Sequence, residues 1–338
     1  MRIRGLGTLE KAINLDNVYD CLRRFIRFGR LWASVPSETP MKTRLRAVAA
    51  GKTDVGLQRD HNEDSFLLMP DCGLFVVADG MGGHRAGDVA SRLAIEAITE
   101  YFRSIGNDDV TWPLPFDGRL SEDENHLLVS VRLANRRILE RSARSREFHG
   151  MGTTVVGALF NPEQGRMIIA HVGDSRAYRI RDGFITQMTR DHSLFNDYLM
   201  AMPDLSEEQR SELPRNVITR ALGMQEDVSV DIQPDNVREG DVYVLCSDGL
   251  SGMVEDDDIV SIVGNTGELG NACLGLVRRA NENGGEDNVT AVVVRVEVDS
   301  DVESTEREVL KTIPAANLES SDTPPASPVS SKIRSGVD

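Results

Sequence analysis

The sequence is short of paired cysteines, of long apolar runs and of positive charge, and each shortage removes a class of function. Its four cysteines, Cys21, Cys72, Cys246 and Cys273, stand far apart with no CxxC pair. That argues against a zinc knuckle and a disulfide framework, and it fits a reducing cytoplasm. No apolar stretch approaches the roughly 20 residues that a membrane span needs, and the first residues lack the apolar core of a secretory signal. Lys and Arg number 38 against 54 Asp and Glu in 338 residues, a net charge of −16. Such a chain repels nucleic acid and acidic membranes, so the expectation is a soluble, cytoplasmic protein with no nucleic-acid partner and no transmembrane segment.

What the chain does contain falls into three parts. Residues 1–46 carry ten Lys or Arg against four Asp or Glu. Within them Val18, Cys21, Leu22, Phe25 and Ile26 recur at helical spacing, so a short basic amphipathic helix is expected over 17–32. It suits an acidic membrane surface or a partner groove, and equally a loosely attached extension or an upstream start before Met41. Residues 300–338 are rich in Ser, Thr, Pro and Glu and almost without aromatics, the composition of a disordered tail. Residues 47–299 alternate strand and helix signals too closely for two independent domains. Strands are expected at 65–69, 74–78, 153–160, 166–172, 177–181, 241–247 and 288–298. Turn residues at 173–175 and 181–183 read as hairpin turns, which makes much of the sheet antiparallel. One helix follows the glycine-rich loop, with Ala90, Leu93, Ala94, Ala97, Ile98 and Tyr101 on one face. A second starts at a capping box, Ser121 to Glu124, and carries Leu127, Leu128, Val131 and Ile138. Together these elements predict an α+β sandwich.

Several phosphate-binding patterns fail on inspection. Counting from Gly80 gives Gly82 and then Arg85 where a dinucleotide fingerprint needs its third glycine, and Gly51-Lys52-Thr53 has Arg46 where a Walker loop begins. Cys21 to Arg27 and Cys273 to Arg279 have the spacing of a thiol phosphatase but lie in helix-periodic segments without a glycine loop. What recurs instead is an acid at the end of an apolar strand: Asp79 after FVVA, Asp248 after VYVLCS, Asp174 after MIIAHVG, Asp287 before the last strand, and Glu63 with Asp64 at another strand entrance. Singly each reads as a turn residue. Carboxylates repel, and several of them converge only where a cation holds them. With no His or Cys cluster beside them, all-oxygen ligation suits Mg²⁺ or Mn²⁺. Two such ions roughly 3.5–4 Å apart can share and deprotonate a water for in-line attack at phosphorus. A glycine after the aspartate lets backbone approach closely.

These residues carry a resemblance. Arg59-x3-Glu63-Asp64, Asp79-Gly80-Met81-Gly82-Gly83-His84-x-Ala86-Gly87, Gly152-Thr153-Thr154, Gly173-Asp174-Ser175-Arg176, Ser247-Asp248-Gly249 and Glu286-Asp287-Asn288, in that order, resemble the metal-dependent protein serine/threonine phosphatases, also called protein phosphatase type 2C, in their bacterial form. The likeness covers about 51–298. It implies a four-layer α-β-β-α sandwich with two mainly antiparallel sheets and a two-metal site, Mn²⁺ or Mg²⁺ with a possible third ion, at one end. It implies that Asp79 bridges both metals with the Gly80 carbonyl on the second, and that Asp248 and Asp287 complete the first. Glu63 and Asp64 would serve the second directly or through water, Asp174 would hold the third, and Arg59 would clamp the phosphoryl group. The activity implied is hydrolysis of phosphoserine and phosphothreonine in proteins by a metal-activated water, opposing a serine/threonine kinase. The alternative is a catalytically silent adaptor that binds phosphoprotein or kinase.

Met81 departs from the pattern, two histidines fall outside it, and one longer segment follows it loosely. Many eukaryotic members place a histidine after Asp-Gly as a proposed general acid, whereas Met81 here cannot donate a proton; His84 and a water on an ion held by Asp174 are the donors left. His171 and His192 match no family role and read as structural. The segment 191–220, with a small helix capped at Ser206, resembles the flap beside the family's active site.

Overall fold

Side-chain alternation along the strands decides the architecture. The structure, a computed structural model, describes residues 44–82, 86–105, 113–214 and 217–299. The expected helix over 17–32, the tail from 300 onward and His84 lie outside the described residues. Strands β1 (Leu45–Asp54), β2 (Asp64–Met69), β3 (Leu74–Met81), β4 (Gly152–Thr153), β5 (Val155–Asn161), β6 (Arg166–Val172), β7 (Arg176–Arg181), β8 (Phe184–Gln187), β9 (Asp231–Asn236), β10 (Val242–Cys246) and β11 (Val289–Val298) build two sheets. One runs β1-β11-β10-β7-β8 and the other β2-β3-β5-β6-β9, with β4 paired to β3. The pairings are antiparallel throughout.

In β3, Leu74, Val76 and Ala78 face outward onto helices α1 (Ala86–Ser104) and α2 (Glu122–Arg144), where they meet Ala90, Ala94, Ile98, Leu127 and Ile138. Phe75 and Val77 face inward and meet Tyr243, Leu245, Val292 and Val294 of the other sheet. That sheet repeats the design: Val244, Cys246, Val289, Ala291 and Val293 point outward. They pack under α5 (Asp248–Ser251), α6 (Asp256–Gly264) and α7 (Leu269–Glu282), with α3 (Leu194–Ala201) and α4 (Glu207–Ser211) lying earlier in the chain. Strands covered on both faces give a helix-sheet-sheet-helix stack, the expected four layers. Burying one such valine is worth roughly 1.5–3 kcal/mol, so the three apolar layers dominate stability. The Ser121 capping box forms as the sequence predicts, with the Ser121 amide donating to Glu124 Oε2 at 2.7 Å and the Glu124 amide to Ser121 Oγ at 3.3 Å. Ser206 and Gln209 do the same for α4.

Three features differ from the sequence reading. β1 pairs with β11 along its whole length, but its half-buried, alanine-rich run gives little alternation. β9 contains Pro234 and four polar residues; it is an edge strand, where a missing N–H is tolerated. The turn at 173–175 is not a hairpin. It carries the chain from β6 in one sheet to β7 in the other, with Gly173 at φ +111°, a conformation that favours glycine.

Candidate metal centre and catalytic cleft

The inward-facing layer changes character at one end of the sandwich. Continuing each strand by two residues from its last apolar inward position gives Asp64 after Leu68 and Phe66, Asp79 after Phe75 and Val77, and Thr154 before Val156 and Ala158. In the opposing sheet the same step gives Ser175 before Ala177, Ser247 after Tyr243 and Leu245, and Thr290 before Val292. The period of two thus puts acids and hydroxyls where apolar side chains would otherwise close the core. Asp64 and Asp79 are register partners on β2 and β3.

Around this end lies a cleft of about 510 Å³, lined by Arg59, His61, Glu63, Asp79, Gly80, Met81, Ile218, Asp248 and Asp287 among others. The cleft thus gathers six of the eight sequence-predicted site residues. Asp64 sits in the inter-sheet layer behind it: its Oδ2 accepts from Ser247 Oγ at 2.9 Å and from Thr290 Oγ1 at 2.6 Å. Asp174 is off the cleft wall, close enough to Asp248 for the two charges to repel. Arg59 Nη2 donates to Asp287 Oδ2 at 2.6 Å, and it is the only Lys or Arg among the described residues lining the cleft. The glycines do admit close backbone approach, but to neighbouring loops. A Cβ on Gly80 would collide with Gly87 O and Glu63 O, and one on Gly249 with Asn288 O.

The electrostatics follow from this crowding. Burial and then the charges of Asp64 and Asp248 push the Asp79 carboxyl well above the usual range. Burial, against the Thr290 and Ser247 hydrogen bonds, pushes Asp64 up to about 7. Burial and then Asp248 raise Asp174 to about 7, burial and then Asp287 raise Asp248, and burial raises Glu63. Three buried oxygens of this set, Glu63 Oε1, Asp64 Oδ1 and Asp174 Oδ1, have no hydrogen-bond partner. Buried carboxylate oxygens without donors are costly unless a cation takes them. An all-oxygen donor set with unclaimed lone pairs fits Mg²⁺ or Mn²⁺.

A second group has the residue types of a metal site: His171, His192 and Asp231 bring ligand atoms within 4.8 Å of one another. The Arg220 guanidinium already holds that place, with Nη1 2.7 Å from Asp231 Oδ1 and 3.0 Å from His192 Nε2. His192 Nδ1 accepts from the Gly173 amide at 3.0 Å, and the His171 ring stacks on His192 with centroids 4.7 Å apart. Burial and then His171 lower His192 to about 4, so it is neutral at pH 7. This is the structural role expected of both histidines.

Residues to which the motifs gave no role hold the loops in place. Asn288 accepts from the Glu63 amide at 2.7 Å and donates to Val55 O and His61 O at 2.8 and 2.9 Å. It thereby ties the Arg59–Glu63 loop to the Asp287 loop. The excursion through α3 and α4 closes on a bridge between Ser193 and Ile218, which brings Ile218 to the cleft. Their signal in the sequence is only adjacency to an acid or a capped helix.

Comparison with known proteins gives one answer. Residues 58–272 match the family described as Protein phosphatase 2C. The chain is similar to the serine/threonine phosphatase stp of Listeria monocytogenes serotype 4b (strain F2365), 36% identical over 247 residues, 72% of this chain and 93% of that protein. It is 37% identical over 257 residues to the serine/threonine protein phosphatase PstP of Mycobacterium tuberculosis (strain ATCC 25618 / H37Rv), covering 76% of this chain and 46% of that protein. The crystal structure of that phosphatase superposes with a TM-score of 0.64 at 35% identity, over 75% of this chain and 99% of that one. A crystal structure of the PstP catalytic domain in complex with two manganese ions gives 0.63 at 34% identity, with the same coverage.

Proposed function

The chain belongs to the protein phosphatase 2C family and is a metal-dependent protein serine/threonine phosphatase, and we propose that its ions are held by the carboxylates around Asp79. The observation that carries this assignment is the set of buried, unpartnered oxygens on Glu63, Asp64 and Asp174. Asp79, the Gly80 carbonyl, Asp248 and Asp287 would hold two ions with Glu63 and Asp64 beside them, and Asp174 would serve a third. Bound there, Mn²⁺ or Mg²⁺ supplies Lewis acidity to a phosphoryl oxygen and lowers the pKa of a water.

The chain's own groups do the rest. Arg59, half exposed at the cleft and paired through one nitrogen with Asp287, has donors left for the dianionic phosphoryl group of a phosphoserine or phosphothreonine side chain. The Arg59–Glu63 loop, fixed through Asn288, sets where that phosphoryl group stops relative to the acids. Met81 offers it no proton. Ile218 gives the cleft an apolar wall at the root of the 193–218 excursion, whose exposed Tyr198, Met200 and Met202 are adaptable contacts for a protein substrate. No helix among the described residues is long and apolar enough to cross a membrane. The acidic chain with its separated cysteines supports action in the cytoplasm, and a protein serine/threonine phosphatase implies a serine/threonine kinase that makes its substrates. The test is hydrolysis of a phosphothreonine peptide by the full chain with EDTA, Mg²⁺ or Mn²⁺, beside Asp79→Asn and Asp248→Asn. Turnover in EDTA, or wild-type rates in either variant, refutes the assignment.

A further inference from the structure

Thr154 touches both arms of the acid cluster. It stands opposite Asp79 on the rung between Val77↔Val156 and Gly80↔Thr153. There the Thr154 amide donates to Asp79 O at 2.8 Å, as an antiparallel ladder requires. The reciprocal donor, the Asp79 amide, goes to the Thr154 hydroxyl at 3.2 Å, and Thr153 Oγ1 donates to Asp79 O at 2.8 Å as well. On its other side Thr154 Oγ1 pairs with Ser175 Oγ across the sheets at 2.7 Å, and both residues are buried. The residue before Asp174 is also in contact: a Cβ on Gly173 would stand 2.6 Å from both Thr154 Cβ and Cγ2. Thr154 therefore meets the neighbours of Asp174 on both flanks, one by packing and one by hydrogen bond, while its backbone and hydroxyl hold Asp79.

We propose that Thr154 is a positioning residue that, with Ser175, fixes Asp174 relative to Asp79 and so sets the spacing at which these acids, drawn from a strand and from the crossover between sheets, receive a divalent ion. The inference rests on the metal reading above. A hydroxyl suits the task because it can accept from one group while donating to another, so one atom couples the Asp79 backbone to the Ser175 side chain. The side chain is also rigid at χ1, which limits how far the coupled groups can drift.

The experiment uses the full-length, metal-free protein. Mn²⁺ binding is measured by titration calorimetry, and unfolding in EDTA is followed in parallel. Thr154→Val keeps the shape and removes the hydroxyl; Thr154→Ser keeps the hydroxyl and removes a methyl. The expected result is Mn²⁺ affinity weakened at least tenfold in Thr154→Val and held within threefold in Thr154→Ser. Ser175→Ala is a second probe of the same hydroxyl pair, expected to weaken affinity with no further loss when combined with Thr154→Val. Wild-type affinity in Thr154→Val, or a defect that serine does not rescue, overturns the proposal, because the residue then acts by packing alone. Wild-type protein that binds no Mn²⁺ overturns the metal reading itself.

Discussion

Asp64 offers the sharpest perturbation, because the proposed metal site uses its charge while the metal-free fold is weakened by it. Burial raises this carboxyl from 3.8 to about 7; at about 1.4 kcal/mol per unit, keeping it ionised above pH 7 costs the metal-free protein about 4 kcal/mol. Asn fits the site. Its carbonyl oxygen can take the place of Oδ2 and accept from Ser247 and Thr290, while its uncharged amide takes the position of the unpartnered Oδ1 and ends the repulsion from Asp248 and Asp287. Asp64→Asn should therefore stabilise the metal-free protein by up to about 4 kcal/mol at pH 8, reduced by whatever misfit the amide introduces. Below about pH 3 Asp64 is protonated folded and unfolded, and the two proteins should match. As pH rises from 3.8 towards 7 the unfolded wild type ionises first, so wild-type stability falls and the gain of the variant opens. Urea unfolding in EDTA at pH 4.5 and 8 measures it, and saturating Mn²⁺ should reverse the ranking by stabilising wild type more. A variant less stable than wild type at pH 8 in EDTA, or a gain equal at both pH values, would show that the buried charge of Asp64 does not weaken the metal-free fold.

Arg59→Ala should raise KM for a phosphopeptide roughly tenfold and weaken inhibition by inorganic phosphate, with kcat less affected; unchanged values would leave Arg59 a surface charge. Asp174→Ala should slow a phosphothreonine peptide more than an aryl phosphate, since only the alkoxide leaving group needs help, and equal slowing would remove Asp174 from leaving-group chemistry. His192 is held neutral at about 4 against an ordinary 6.5, chiefly by burial. The unfolded chain thus protonates first on acidification, and up to about 3 kcal/mol should be lost as pH falls from 6.5 to 4. Denaturation midpoints of His192→Asn should fall less steeply across that window, and parallel curves would contradict the assignment.

Most of the acids were legible in the sequence because an apolar strand ending in Asp is a conspicuous conflict between burial and charge. The strands carrying them were legible for the same reason: runs such as 74–78 and 289–296 are buried on both faces. The sheet to which each strand belongs was not. Gly173-Asp174-Ser175 has hairpin chemistry, and turn residues describe local backbone without saying whether the chain returns to its own sheet. Pro234 hid β9 because strand propensity assumes an interior ladder. The hydroxyls of Thr154, Ser175, Ser247 and Thr290 were equally opaque in role, since a buried hydroxyl takes its meaning from the strand opposite it. Asp64 was readable as an acid of the site, but its place behind the cleft depends on Ser247 and Thr290, which lie far along the chain.

The inter-sheet layer joins distant parts of the polypeptide at its polar end. Asp64 opens β2 with Glu63 just before it, Asp287 precedes β11, and the Asp64 carboxylate is held by hydroxyls from β11 and from the residue after β10. Contacts of such sequence separation close late, after loop entropy has been overcome. A chain still emerging from the ribosome can form β2 and β3 with Asp64 and Asp79 side by side, yet it lacks the partners that complete the cluster. On the proposed metal assignment the site is therefore incomplete until the chain through β11 is made and docked, because Asp248, Asp287 and both hydroxyl partners of Asp64 lie in that last stretch of the domain.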